Sequence, residues 1–235
     1  MTVNSVLVSL NEVKSLLTEI DIFKAENNSR KRSVGNDKFS PEFLSVMFAD
    51  DYELIYKTAM KHLDYDFLLE DDSFFQFSAI KGKTNLEDGK LRYAYYPNPR
   101  EYSTYLEFLS ENNLNYDECG DCFCEEYYQY ISEAKLKNAI TPIRYDYDFS
   151  EYDSKKHPIS HLHIGMEQTV RMPIARFITP QEFVILVIRN IYFEKWTKIL
   201  DSEAYIKILK KSKKDNNLLK DEYFKPSEKR HLFLF

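Results

Sequence analysis

Apolar side chains recur at Val3, Val6, Leu7, Leu10, Val13, Leu17 and Ile20, the spacing of an amphipathic helix over residues 3–23. A polar stretch from Glu26 to Asp37 then reads as a loop. Ser40-Pro41-Glu42 places a cap, a first-turn proline and an acid ahead of Phe43 and Leu44, which starts a second helix. A further helix is expected over residues 51–62, so residues 1–70 read as a helical N-terminal part. Near Ser73 the period changes to two. Phe74, Phe75 and Phe77, and then Lys90 to Tyr96, suit strands joined by the polar connection Lys81–Gly89. Pro97-Asn98-Pro99 ends the second of them, because proline donates no ladder hydrogen bond. Tyr102, Tyr105, Leu106 and Leu109 return to helical spacing, and a short helix is expected around Glu125–Glu133.

Three more strands are predicted, at Pro142–Phe149, Ile159–Ile164 and Val170–Ile178. Thr179-Pro180-Gln181-Glu182 is a capping box with proline at the first helical position. It opens the helix Phe183–Tyr192, whose run from Phe183 to Ile188 is apolar on every side. Such a helix is expected to be central, with Ile185 and Leu186 in the core against Ile143, Tyr145, Leu162 and Ile164. A helix near Ser202–Ser212 and an edge strand at His231–Phe235 complete the pattern. Strands cluster apart from helices without βαβ alternation. That predicts an α+β fold: a mostly antiparallel sheet with a buried helix against one face, in a single domain over residues 1–235 whose sheet-containing core spans 73–235.

Composition narrows the function classes. With 5 glycines in 235 residues and no glycine-rich fingerprint, a phosphate loop or a Rossmann turn is not expected, and no cofactor is called for. A net charge of −6 argues against non-specific binding of duplex nucleic acid. The basic runs Arg30-Lys31-Arg32 and Lys207 to Lys214 read as solvated faces. Asn4, Asn11 and Glu12 interrupt any signal-peptide core, and no stretch approaches the roughly 18 apolar residues of a membrane span. Three cysteines, an odd number, fit a reducing compartment, so a cytoplasmic protein without a membrane partner is expected.

Candidate chemistry concentrates between Arg144 and Arg176. Strand alternation places Ile143, Tyr145, Tyr147 and Phe149 on one face and Arg144, Asp146 and Asp148 on the other. In the next strand His161 and His163 oppose Leu162 and Ile164. If the apolar faces pair, Arg144, Asp146, His161 and His163 form one polar surface, with His157 in the same parity as the other histidines. Arg171 and Arg176 fall on opposite parities of the following strand, unless a bulge at Pro173 shifts the register. Three readings follow, in this order. The histidines can be structural partners of Asp146 and Asp148. They can instead be an acid–base pair for metal-independent cleavage of RNA, with Asp146 orienting a ring and Arg144, Arg171 and His157 holding substrate. Or H-x-H can chelate zinc with a third ligand from His157, Asp146 or Glu167. A non-catalytic variant of the same surface would dock a protein encoded by a neighbouring gene. Cys119, Cys122 and Cys124 have zinc-like spacing but no evident fourth ligand, and are expected to be reduced and metal-free. Tyr93, Tyr95 and Tyr96 could stack on bases, although tyrosines in strands more often pack on their neighbours.

The segments Phe75-Gln76-Phe77, Leu91 through Pro99, Ile143-Arg144-Tyr145-Asp146, His157-Pro158, His161-Leu162-His163, Arg171-Met172-Pro173 and Thr179 through Phe183 resemble those of an uncharacterised bacterial family of unknown function. The resemblance covers about residues 5–235. Within residues 142–188 the layout R-Y-D…H-P…H-x-H…R-x-P is also similar to small toxins of toxin–antitoxin pairs. That second likeness implies RNA cleavage in a toxin or phage-defence setting.

Overall fold

Strands whose side chains alternate between aromatic and charged need two different environments, one on each side of the sheet. A computed structural model of the chain describes residues 3–28, 39–167, 169–214 and 217–230. Its elements are α1 (Val3–Glu19), β1 (Phe23–Glu26), α2 (Pro41–Val46), α3 (Tyr52–Lys61), β2 (Phe67–Leu69), β3 (Phe74–Ile80) and β4 (Lys90–Tyr96). Then come α4 (Tyr105–Glu111), α5 (Tyr116–Cys119), α6 (Cys124–Glu133), β5 (Ile143–Asp148), β6 (Ser160–Ile164) and β7 (Met172–Pro173). The chain continues with α7 (Pro180–Ile191), α8 (Phe193–Thr197), α9 (Glu203–Lys214) and α10 (Pro226–Lys229). The seven strands form one sheet in chain order, each antiparallel to its neighbours. The fold is α+β.

Two sequence expectations change. The N-terminal part is not only helical, because β1 and β2 extend the sheet from inside it. These strands are three or four residues long, too short for alternation to announce them. The strand predicted over Val170–Ile178 stops at Pro173, where the ring ends the ladder, and Arg176 bridges to Leu218 instead. The edge strand expected at His231–Phe235 and the run Arg30-Lys31-Arg32 lie outside the described residues. Among the described residues no helix is long and apolar enough to cross a membrane.

One sheet face carries Phe75, Phe77, Tyr93, Tyr95, Tyr145, Tyr147 and Leu162, all buried beneath α1 and α7. The Phe183 ring sits 6.0–6.3 Å from the rings of Phe75, Phe77 and Tyr93. Two of the buried hydroxyls find hydroxyl partners: Tyr145 Oη lies 3.0 Å from Ser160 Oγ, and Tyr95 Oη lies 2.9 Å from Tyr192 Oη, whereas Tyr93 Oη has no partner among the described residues. The capping box at Thr179 forms, and the Gln181 amide donates to Ser9 Oγ, which ties the start of α7 to α1. The helix is buried on one side rather than all round. Phe183, Val184, Val187 and Ile188 are sealed, whereas Ile185 and Leu186 are half-buried. Ile164, at the end of β6, is 45% exposed and leaves the predicted core.

On the opposite face α2 and α3 cover one end of the sheet, packing Phe43, Tyr52 and Ile55 over Phe74, Ala94 and Tyr96. Ser40 caps α2 and is itself held by the buried Asp64, whose carboxylate accepts from the Ser40 amide at 2.9 Å and from its hydroxyl at 2.5 Å. Asp66 accepts from the Phe77 amide at 2.6 Å. The β3–β4 hairpin closes through Gly82 and Gly89, where an added Cβ would meet a backbone oxygen at 2.1 Å. Beyond α2 and α3 the same face carries Lys90, Arg92, Arg144, Asp146 and the histidines of β6.

Packing on one side only sets an ordering of core substitutions. Phe183→Ala should cost about 3–5 kcal/mol, the usual penalty for emptying an aromatic core site. Leu186→Ala should cost less than half of that. Urea unfolding of the two variants measures the difference, and equal costs would mean that α7 is enclosed on all sides in solution.

Candidate functional site

Strand pairing lines the polar residues up in rows. Arg92 of β4 opposes Asp146 of β5, which opposes His161 of β6. One step along, Ala94, Arg144 and His163 form the next row, and Lys90 opposes Asp148 on the other side. Pro173 opposes His161, so period two keeps Arg171 on this same side. Arg144, Asp146, His161 and His163 therefore do share one surface. Arg176 does not join them; its guanidinium donates to Glu182 at 2.6 Å at the start of α7.

A chain of polar contacts links four of these groups. Arg144 Nε donates to Asp146 Oδ2 at 2.8 Å. His163 Nε2 lies 3.3 Å from that oxygen and 3.0 Å from His161 Nε2. His161 Nδ1 lies 2.8 Å from the Pro158 carbonyl. A carbonyl only accepts, so His161 carries its proton on Nδ1 and keeps a lone pair on Nε2. When both rings are neutral, the proton between them therefore sits on His163 Nε2. His157 lies in the turn Asp153–His157, and its ring packs edge-on against His161 at 4.9 Å.

Burial dominates the electrostatics. It pushes His161 down to about 4, with the neighbouring imidazoles adding to the effect and Asp146 opposing it. Burial and Arg171 lower His157 in the same way. For Asp146 burial acts upward, but the His163 hydrogen bond and the charges of Arg144 and Arg92 overcome it and hold the carboxyl well below its usual range. Burial, reinforced by Arg92, lowers Arg144 despite its bond to Asp146. At neutral pH the site thus holds an anionic Asp146 and an uncharged His161.

Asp146, Arg144, His157 and His163 border a cleft of about 540 Å³ that is also lined by Phe48, Lys90, Arg92, Asp148 and Arg171 among others. His161 is absent from the wall. It is 0% exposed and backs His163, which is 3% exposed and faces the cleft. The expectation that both rings of H-x-H reach one phosphodiester is not met, because the Pro158 contact draws His161 inward. The Arg92 guanidinium lies over the Phe48 ring at 5.2 Å, and Lys90 pairs with Asp148 at 2.8 Å. Several polar atoms here are buried without a hydrogen-bond partner: Arg92 Nε and Nη2, Arg171 Nε, His157 Nδ1, His163 Nδ1 and Asp146 Oδ1. Among the described residues, the ligand atoms that fall within reach of one metal ion are those of Asp146, His161 and His163, all within 4.8 Å of one another. Glu167 instead accepts from Thr169 at 2.8 Å. Cys119, Cys122 and Cys124 are unpaired thiols on α5, the turn after it and the start of α6.

A family model described as "Uncharacterized conserved protein (DUF2290)" matches residues 17–234. The chain belongs to that family. The match spans all seven strands and the whole cleft wall of this DUF2290 chain. No curated protein and no solved structure matches the chain.

Sequence reasoning missed Lys90, Arg92 and Phe48. The signal for the first two lies in KLRYAYY, where Lys90 and Arg92 alternate with Leu91 and Tyr93. Without the β4–β5 register nothing connects them to Asp146. Phe48 follows α2, and only the packing of that helix brings it to the wall. Tyr93 and Tyr95 face the core and Tyr96 packs under α2 and α3, so none of the three is presented to a base.

The polar chain should carry stability as well as chemistry. Asp146→Ala removes the acceptor shared by Arg144 and His163, and breaking one partner of a buried pair should cost about 3–5 kcal/mol. Lys90→Ala breaks the more exposed contact with Asp148 and should cost under ~1 kcal/mol. Chemical denaturation separates the two, and a small loss at Asp146 would show that water already screens the cleft floor.

Proposed function

We propose that the cleft binds the phosphodiester backbone of RNA and cleaves it. The observation that supports this is the set of recessed guanidinium donors, Arg92 Nε and Nη2 and Arg171 Nε, buried without partners beside Arg144 and His163. A buried N–H with no acceptor is costly, and a phosphate oxygen satisfies it with a charge-assisted bond. The planar guanidinium also fits two phosphate oxygens at once. A face that docks a partner protein has no use for donors recessed in this way, so the docking reading has less support.

In this reading Arg92, Arg144 and Arg171 neutralise the non-bridging oxygens and the charge that grows on them. The Asp146–His163–His161 set is where the 2′-hydroxyl loses its proton. The 2′-oxygen attacks phosphorus, the bond to the 5′-oxygen breaks, and that oxygen takes up a proton from water in the cleft as it leaves. The products are a 2′,3′-cyclic phosphate and a 5′-hydroxyl. A toxin or phage-defence setting in a bacterial cytoplasm is part of the proposal, and it rests on the resemblance of the R-Y-D…H-P…H-x-H…R-x-P layout to toxins of toxin–antitoxin pairs.

The test uses the full chain with end-labelled single-stranded RNA and a matching strand of 2′-deoxynucleotides. The RNA should be cut and the deoxy strand left whole, because the mechanism needs the 2′-hydroxyl. Arg171→Ala and Arg92→Ala should each weaken substrate binding by roughly 10- to 100-fold, the worth of one hydrogen bond to a charged group. Cleavage that survives the double Arg92→Ala/Arg171→Ala variant, or no cleavage of any RNA, would sink the proposal.

A further inference from the structure

The geometry points to a divalent metal site formed by His161 Nε2, His163 Nε2 and Asp146 Oδ2, with its open side toward the cleft. This deepens the reading above by naming what activates the attacking oxygen, but the binding itself can be tested without RNA.

Three features of the cluster carry the inference. First, the distances suit ligands around one ion. The two Nε2 atoms are 3.0 Å apart and Asp146 Oδ2 is 3.3 Å from His163 Nε2. Ligand atoms at about 2.0–2.1 Å from a tetrahedral zinc lie roughly 3.3 Å from one another. Second, the bond from His161 Nδ1 to the Pro158 carbonyl turns the Nε2 lone pair inward. Metal-ligating histidines are oriented in this way, by a backbone carbonyl on the opposite ring nitrogen. Arg144 Nε donates to Asp146 Oδ2 itself, which fixes the carboxylate and leaves that oxygen a second lone pair for the ion, and Asp146 Oδ1, buried and unpartnered, offers a second oxygen.

Third, the surroundings are asymmetric. His161 closes the inner side, while His163 and Asp146 stand on the cleft wall. Three protein ligands with one side open is the arrangement of catalytic rather than structural metal sites. Two imidazoles and one carboxylate, with no thiolate, suit a first-row divalent ion such as zinc, cobalt(II) or iron(II). The metal would displace the proton held between the two rings. Together with Arg92, Arg144 and Arg171 it would make the floor strongly cationic, which is the charge a phosphodiester requires. Held there, the ion would take the 2′-oxygen as an alkoxide ligand, and the released proton would pass to water.

The experiment titrates chelator-treated full-length protein with zinc by calorimetry and with cobalt(II) by absorption. Wild type should bind one equivalent, with ligand-field bands in the visible and no thiolate charge-transfer band. Cys119→Ser/Cys122→Ser/Cys124→Ser should bind the same equivalent. Asp146→Asn and His161→Gln should each lose more affinity than the ~10- to 100-fold typical of outer-shell changes. Asp146→Asn keeps the shape of the side chain and serves if His161→Gln fails to fold. No binding by wild type overturns the site, as does binding that vanishes with the cysteines and persists in Asp146→Asn. One bound equivalent with uncut RNA upholds the metal site and removes the phosphodiester reading. RNA cleaved equally well by metal-free protein overturns the ion's part in activation.

Discussion

The structure depends on the register of β4, β5 and β6. A slip of one residue would turn Arg92, Arg144 and Asp146 under Phe183 and move Tyr93, Tyr145 and Leu162 onto the cleft side. Each of the buried tyrosines removes roughly 150–250 Å² from water, a gross gain of about 4–6 kcal/mol at ~25 cal/mol/Å². Placing an unpaired charge in the space a tyrosine leaves would cost several kcal/mol more. Both terms have the same sign at every strand pair, so the register admits one solution. The rows of the cleft are a by-product of the core on the reverse side.

That core does not explain why the polar rows are retained. A buried ion pair is weak evidence for stability, since well-packed apolar residues of equal volume often serve as well or better. Asp64 and Asp66 show what a structural buried acid does in this chain: they accept from the Ser40 amide and hydroxyl and from the Phe77 amide, fixing α2 and β3. Arg92, Arg171 and Asp146 differ, because part of each is buried with nothing to bond to. Polar groups of that kind are held by the fold at a cost. A ligand that satisfies them recovers it, which is why the cleft rather than the core is where function is sought.

The sheet core and the first polar candidates were legible because β3 to β6 are long enough for period two to show. His161 and His163 sit across from Asp146 and Arg144 as parity alone requires. The remainder depended on contacts distant in sequence. β1 and β2 are too short to carry a pattern, and they join the sheet through the helical part. Arg92 becomes part of the site through a register that crosses the whole segment between β4 and β5. The inward placement of His161 comes from the backbone carbonyl of Pro158, which no side-chain pattern reports. Ile185 and Leu186 are half-exposed because their neighbours on α7 already cover the sheet.

Three chemistries fit the residue types: a structural polar pair, two independent acid–base imidazoles, and a chelating pair. The geometry separates them because all three compete for the same two nitrogen atoms. Independent acid and base need two rings that exchange protons with one substrate at two places. Here the Nε2 atoms face each other 3.0 Å apart and share one proton, so the two rings act as one unit rather than as two separate groups. A structural pair would be complete with its mutual bond and would not border a cleft that holds unpartnered donors. On the proposed reading the cluster is a single centre, with its inner side fixed by Pro158 and its outer side open to whatever the arginines bind. On that reading the number of imidazoles in the sequence overstates the number of functional groups, because the buried His161 acts through His163 and Asp146, which face the cleft.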